Sequence, residues 1–514
     1  LFDDVKHYRF KARLTAKGFT QRLGVNYNAT FAPTAKFESI CMVFCLATVH
    51  NWDVIGFDVE NAFAEGHLDE LIDMQLPEDC FRNLDGSSIV VRLLRSIYGI
   101  KQASNVFYSL VKHIITDMNI NKLIHDPCVF TCTSVDGLIL IVLVWVDDII
   151  VTGNWDLRIA EVKVNLIDSF SKMKFQGQIT RYVGLDIMRD RMHRTMTLSQ
   201  SPYSHAIANK YSYVPLNPRK IPINPLVDLR TKGDGTLPDI YEPVGEIGYL
   251  ADHTLPQLKF AASQLRSAAA NPTAAHEAAI RNVHRYLADT DRDTGLTFRR
   301  GPTTEVCLFG MADGSTIRSG DSMSQLAYCF FLNLSSGTVC ARSIKSTRVA
   351  TSPADTELQA IVLAMKKGIF LRGLLSELSF PQHEPTIIYS DSLTVITMVT
   401  ADKPLSHATE HLTLMVNWVR DQIQLGLFEL RHVDTDENTS DVMTKALARA
   451  KFVPLARQLT QGHGERPPSS TAKTTASQAM PFTASNAKRR KANRDPTVSR
   501  VRFSGTDDNN DDDG

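Results

Sequence analysis

Asp147 and Asp148 stand side by side in LVWVDDIIVTG, residues 143–153, between two apolar runs. Turn placement would let solvent screen the pair, because aspartate favours turns. A third acid, Asp58, follows the apolar run VIGF in WDVIGFDVENAFAEG. A strand ending at Asp58 can lie beside a hairpin that carries the pair. Three carboxylates so gathered repel one another and become tolerable around a divalent cation. Two magnesium ions about 4 Å apart would activate a nucleophile and steady the leaving oxygen of a phosphoryl transfer. The second half holds another acidic set: Asp313 in LFGMADGS, Glu357 in PADTELQAIVLAMKKG, Asp391 in TIIYSDSLTV and Asp441 in TDENTSDVMTKAL. Two strand ends (Asp313, Asp391), an amphipathic helix start (Glu357) and a final helix (Asp441) would deliver four carboxylates, the set a two-metal nuclease needs. Taken singly, Glu357 and Asp441 also read as helix N-terminal acids favoured by the dipole; taken jointly and in order, the four read as metal ligands.

The elements that must position these acids are legible. LILIVLVWV, residues 138–146, is too short for a bilayer span of ~20 residues and predicts a buried strand. SVDG before it predicts a turn, so the aspartate pair should sit at the next reversal. After the Pro-rich stretch YVPLNPRKIPINPLVDL, an alanine-rich pattern at residues 258–290 predicts helices. From Glu305 the order should be strand, hairpin, helix, strand, helix, helix, strand, to about Ala450. Beyond Gly462 the Ser/Thr/Ala/Pro-rich letters, basic KRRK (488–491) and acidic DDNNDDDG cannot bury a core and should be disordered.

The 514 residues carry 56 Lys+Arg against 56 Asp+Glu, so no global field selects a nucleic acid and local patches must hold one. Cys41/Cys45 and Cys128/Cys132 form no CxxC pair and have no histidines at zinc spacing, which predicts buried free thiols in a reducing compartment. The chain opens at Leu1 inside a basic stretch, and we expect a piece of a longer polypeptide.

KARLTAKGFTQ, FAPTAKFESI, FDVENAFAEGHLDE, VVRLLRSIYGIKQAS, WVDDIIVTG, YVGLDI and TLSQSPY occur in one order, and together they resemble the reverse transcriptase of Ty1/copia-type retrotransposon polyproteins. The spacing of the second acidic set resembles a copia-type ribonuclease H. The resemblance covers about residues 9–455 and implies an α+β right-hand polymerase with fingers, palm and thumb, followed by an α/β ribonuclease H-like domain. The expected divisions are 1–212 (N-terminally truncated fingers and palm), 213–302 (thumb or connection), 303–455 (ribonuclease H-like) and 456–514 (disordered tail). It implies RNA-directed DNA synthesis and hybrid cleavage, with Asp58, Asp147 and Asp148 sharing one pair of Mg²⁺ ions and Asp313, Glu357, Asp391 and Asp441 another, Mn²⁺ being an alternative.

Phe63 matches the aromatic beneath the incoming sugar, which leaves no room for a 2′-hydroxyl; a plain core aromatic is its other reading. Tyr98, Gly99, Lys101 and Gln102 match the segment shaping the nucleotide and template pocket. Lys11, Arg13 and Lys17 could neutralise the triphosphate, or form a solvated basic face. Three positions depart from the family pattern: Trp145 replaces a tyrosine, Ser104 a proline and Ser315 a second aspartate, while Pro353 interrupts another motif. Asp355 is expected to be solvated, and His411 and His432 to be surface or packed histidines.

Implied partners are an RNA template, a DNA primer, their hybrid, deoxynucleoside triphosphates and integrase of the same polyprotein, with no membrane. The implied location is a cytoplasmic virus-like particle, the nucleus, or both. Residues 488–502, with seven Lys/Arg against one Asp, fit a nuclear signal, an RNA-binding element or a solvated tail. An inactive relic, a co-opted RNA-binding protein and a chain that acts only as a ribonuclease H remain alternatives.

Overall fold

The computed structural model describes residues 12–77, 82–83, 85–211, 219–289, 294–316, 323–401, 407–464 and 468, all within one compact unit, Leu1–Thr471. The expected tail character, KRRK and Lys11 lie outside the described residues.

A six-stranded antiparallel sheet has the order Asn121–Lys122, Val129–Thr133, Ile139–Trp145, Asp148–Gly153, Asp53–Val59, Met173–Gln178. Its central strand reads ILIVLVW without polar alternation because both faces are covered. Leu140, Val142 and Val144 pack with Phe107 and Val111 of helix Ala103–Asp117 and Val162 of helix Asp156–Ser169. Ile141 and Leu143 face the cluster of helix Phe37–Val49. That helix buries eleven of its thirteen residues, as an element apolar all round must. It packs into a cluster shared with Leu198, Phe298, Phe330 and Leu371, so the two expected enzymatic halves have one core in common.

Gly153 ends the second hairpin strand at φ 149°, and a Cβ there would lie 2.1 Å from the Ile139 carbonyl oxygen. Gly153→Ala should therefore cost more than about 1 kcal/mol, read as a lower urea midpoint, and loosen the hairpin that carries the aspartate pair. An unchanged midpoint would show that the strand relaxes freely.

Strand Gly295–Arg299 pairs with Thr195–Ser199 in a second sheet that continues through Leu185–Asp190 and Arg181–Tyr182. The expected division after residue 212 is thus bridged by a ladder: the segment 213–302 contributes helices Tyr241–Asp252, Lys259–Ser267 and Ala274–Ala288, and then returns to a sheet begun before it.

The third sheet has the order Cys340–Val349, Met323–Phe331, Phe309–Ser315, Thr386–Ser390, Phe428–His432. Its first three strands are antiparallel and the last two parallel. Helix Pro353–Glu377 lies against it; Ser352 caps the helix by accepting from the Asp355 N–H, and Pro353 takes the first-turn place that suits its missing donor. The element order expected from Glu305 onward is present.

Two expectations are corrected. Helix Arg449–Gln461 crosses the expected tail boundary at 456, because Phe452, Leu455 and Leu459 bury against the third sheet's cluster. Asp355 is fully buried rather than solvated: its carboxylate meets Arg348 at 2.6 Å and accepts from the Thr351 N–H at 3.0 Å, which replaces lost hydration. All seven described cysteines are free thiols; Cys41, Cys45, Cys128 and Cys329 are buried and Cys307 is exposed.

Candidate active sites

The strand register sets the first acidic site. Asp58 stands directly opposite Asp148 in the ladder between Asp53–Val59 and Asp148–Gly153, while Trp145 faces Asp148 across the hairpin. Val146 turns the chain at φ 53°, a conformation costly for a β-branched residue, and Asp147 follows it. Burial, then the charges of Asp147 and Asp58, push the Asp148 carboxyl up to about 6. The three carboxylates are neighbours in the fold but are not gathered within 4.8 Å of one another as the second set is; their all-carboxylate chemistry suits a hard divalent cation.

Five residues after Asp58, Phe63 lies in the short turn Ala62–Ala64, half-buried, its ring 5.0 Å from Tyr98 and 6.4 Å from Phe107. Arg13 stacks over Tyr98 at 5.4 Å. Gly99, at φ 93°, is tied to the segment before it: a Cβ would meet the Ala16 carbonyl oxygen at 2.2 Å, and the Ala16 N–H donates to the Tyr98 carbonyl. Lys101 and Gln102 hold loop backbone. Lys101 Nζ donates to the Gln21 carbonyl at 3.1 Å, and the buried Gln102 donates to the Asn26 carbonyl at 2.8 Å and accepts from Gln21. Lys17 is exposed.

In the second site the fold brings Asp313, Asp391 and Asp441 together, with one oxygen of each within 4.8 Å of the others; it is the one such group among the described residues. Asp313 comes from the central strand Phe309–Ser315 and Asp391 follows the neighbouring strand. Asp441 sits in the 3₁₀ turn Thr439–Met443, where a final helix was expected. Glu357 lies one turn into its helix and accepts from the Gly314 N–H at 3.1 Å. Burial, then Asp441, pushes Asp313 up to about 7; burial, then Asp313 and Asp391, pushes Glu357 up to about 9. One Asp313 oxygen, Oδ1, is buried without a hydrogen-bond partner. Such an oxygen among like charges fits a divalent cation, and the residues present suit one.

The sequence reading missed the groups that hold these acids. Thr444 donates to Asp313, and Asn438 donates to Asp391 at 3.4 Å and to the Ala312 carbonyl. The Lys445 ammonium lies 2.8 Å from Asp441 and 3.6 Å from Asp313, and Lys451 lies 2.7 Å from Asp441. Burial alone would lower the Lys445 pKa; Asp313 and Asp441 reverse this and raise it. The i,i+4 spacing of Asp441 and Lys445 was the available signal. His411 is exposed and meets Thr351 at 2.6 Å, and His432 is half-buried at the end of a strand.

Residues 2–225 match the family model described as reverse transcriptase (RNA-dependent DNA polymerase). The chain is 30% identical over 456 residues to the retrovirus-related Pol polyprotein from transposon RE2 of Arabidopsis thaliana, covering 88% of this chain and 30% of that one. It is 29% identical over 471 residues to the corresponding polyprotein from transposon TNT 1-94 of Nicotiana tabacum, covering 90% and 35%. It thus spans about a third of the length of these curated relatives. Among solved structures, the foamy viral protease-reverse transcriptase in complex with RNA/DNA hybrid aligns over 74% of this chain and 44% of that chain, at 14% identity and a TM-score of 0.39. Residues 2–225 are thus similar to reverse-transcriptase domains. The chain as a whole is similar to retrotransposon Pol polyproteins and resembles the Ty1/copia type.

Proposed function

We propose that the chain copies RNA into DNA and cleaves the RNA of the resulting hybrid. The observation that carries this is the pair of carboxylate sets on two different sheets: Asp58 opposite Asp148 beside Asp147, and Asp313, Asp391 and Asp441 within 4.8 Å. Asp58, Asp147 and Asp148 would hold magnesium for polymerisation; Asp313, Glu357, Asp391 and Asp441 would hold it for hydrolysis. Bound there, the cations supply Lewis-acid stabilisation of the phosphoryl oxygens and a stronger nucleophile. The chain's own residues position and select. The hairpin keeps Asp148 and Asp58 in register, Asn438 and Thr444 aim the nuclease carboxylates, and Phe63 stands on Tyr98 as a wall against a ribose 2′-hydroxyl. Template and primer bind by backbone and A-form shape, since copying must accept every sequence. The partners are RNA, DNA primer, deoxynucleoside triphosphates and integrase, and the setting is a virus-like particle or the nucleus.

Primer extension on a homopolymer RNA template and hybrid cleavage, each with Mg²⁺, test the reading; absence of both activities in a folded chain contradicts it and leaves a relic or an RNA-binding protein. The sugar wall has its own test. Phe63→Val should raise ribonucleotide incorporation relative to deoxynucleotide by at least about tenfold, the scale of one lost steric contact of 1–3 kcal/mol. An unchanged ratio in single-nucleotide extension assigns Phe63 to packing alone.

A further inference from the structure

A cleft of about 320 Å³ opens beside the second acidic site, its lining including Ser315, Thr444, Lys445, Gln264, Arg230 and Leu226. Its volume is at the low end of ligand pockets, roughly 300–1,000 Å³. Ser315 lies two residues beyond Asp313 on the same strand. Lys445 is 36% exposed and lines the cleft while its ammonium lies 2.8 Å from Asp441 and 3.6 Å from Asp313. The one acid in the described lining, Asp228, accepts within its own loop from the Arg230 N–H at 3.0 Å and the Thr231 hydroxyl at 3.1 Å. Leu226 is 92% exposed at the mouth. Two cations and hydroxyl donors with an apolar lip describe a place for a sugar-phosphate unit. The serine at 315, where the family resemblance leads one to expect aspartate, takes one negative charge out of it.

We propose that this cleft seats the sugar-phosphate backbone of the RNA/DNA hybrid next to the scissile position. Lys445 and Arg230 contact phosphate there, and the loop 223–230 forms part of the nuclease site. The proposal rests on the nuclease reading above and goes beyond it by naming residues that are neither acids nor part of the third sheet's core. Lys445 serves two ends: it balances Asp441 and Asp313, and it presents a donor to the substrate. A lysine suits this role as a compact charge on a flexible stem.

The test titrates a labelled RNA/DNA hybrid onto the full chain in EDTA at a series of KCl concentrations and measures hybrid cleavage in saturating Mg²⁺. Lys445→Met and Arg230→Ala should each weaken binding several-fold and lower the salt slope by about 0.9, one phosphate's worth. They should raise the KM for cleavage more than they lower kcat. Ser315→Asp should weaken binding in the same direction, and Lys445→Arg should restore the slope. Lys232→Met, an exposed loop lysine outside the cleft, controls for general loss of charge. If Lys445→Met misfolds, Arg230→Ala and Ser315→Asp carry the test, since both change the cleft lining and leave Lys445 in place. Wild-type affinity and slope in the cleft variants, with hybrid cleavage intact, overturn the cleft assignment alone. A folded wild-type chain that cleaves no hybrid overturns the nuclease reading and the cleft with it.

Discussion

Asp148→Asn should reduce primer extension by about a thousandfold or more and leave hybrid cleavage near wild type, while Asp391→Asn should do the reverse. The size follows from what these carboxylates hold: a catalytic cation contributes several kcal/mol at the transition state, and each 1.36 kcal/mol is tenfold in rate. The separation follows from placement. Asp148 begins a strand of the six-stranded sheet, and Asp391 follows a strand of the five-stranded one. Asparagine keeps the shape of each side chain, so folding should survive, and circular dichroism with a thermal midpoint would check it. The shared core around helix Phe37–Val49 offers a competing outcome. If either substitution in a folded chain removes both activities, the two sites are coupled through that core and are not independent.

The second large effect is on stability and its dependence on pH. Asp148 is raised to about 6, Asp313 to about 7 and Glu357 to about 9, each above its ordinary carboxylate range. Between about pH 4 and these values the folded chain binds more protons than the unfolded one. Stability contributed by the protonated groups is therefore present at low pH and lost as pH rises through the folded values. In EDTA the thermal midpoint should fall from pH 5 to pH 9, once the general acid response of the other groups is subtracted with an Asp313→Asn, Glu357→Gln double variant. That variant should melt higher than wild type at pH 8 by several degrees, on the order of 2–4 °C per kcal/mol for a domain of this class. Mg²⁺ should raise the wild-type midpoint, more strongly at pH 8 than at pH 5, because protons and cations compete for the same oxygens. A variant that melts lower than wild type in EDTA at pH 8 would mean that the acids are already well compensated by Lys445 and Lys451.

The sequence by itself determined the chemistry and the local geometry that presents it. The apolar run 138–146 between SVDG and the aspartate pair could only be a buried strand between two reversals, and it pairs as Ile139–Trp145 with Asp148–Gly153. Asp58, Asp313 and Asp391 were legible at strand ends for the same reason, since apolar periodicity and a terminating acid are both local. The tertiary structure decided what depends on contacts between distant segments. Gly295–Arg299 closes a ladder with Thr195–Ser199 across about a hundred residues, a pairing that no local propensity encodes and whose loop-closure entropy is offset by the ladder and by burial of residues such as Leu198, Leu296 and Phe298. Asp355 looks like a surface acid among polar letters, and becomes a buried one only because Arg348 and Thr351 fold back onto it. Apart from the i,i+4 spacing of Asp441 and Lys445, nothing in the sequence signalled the roles of Lys445 and Lys451, since an ammonium's partner is set by which carboxylates the assembled sheet brings within 4 Å, and Asp441 reaches Asp313 only through the packing of the Thr439–Met443 turn against the central strand.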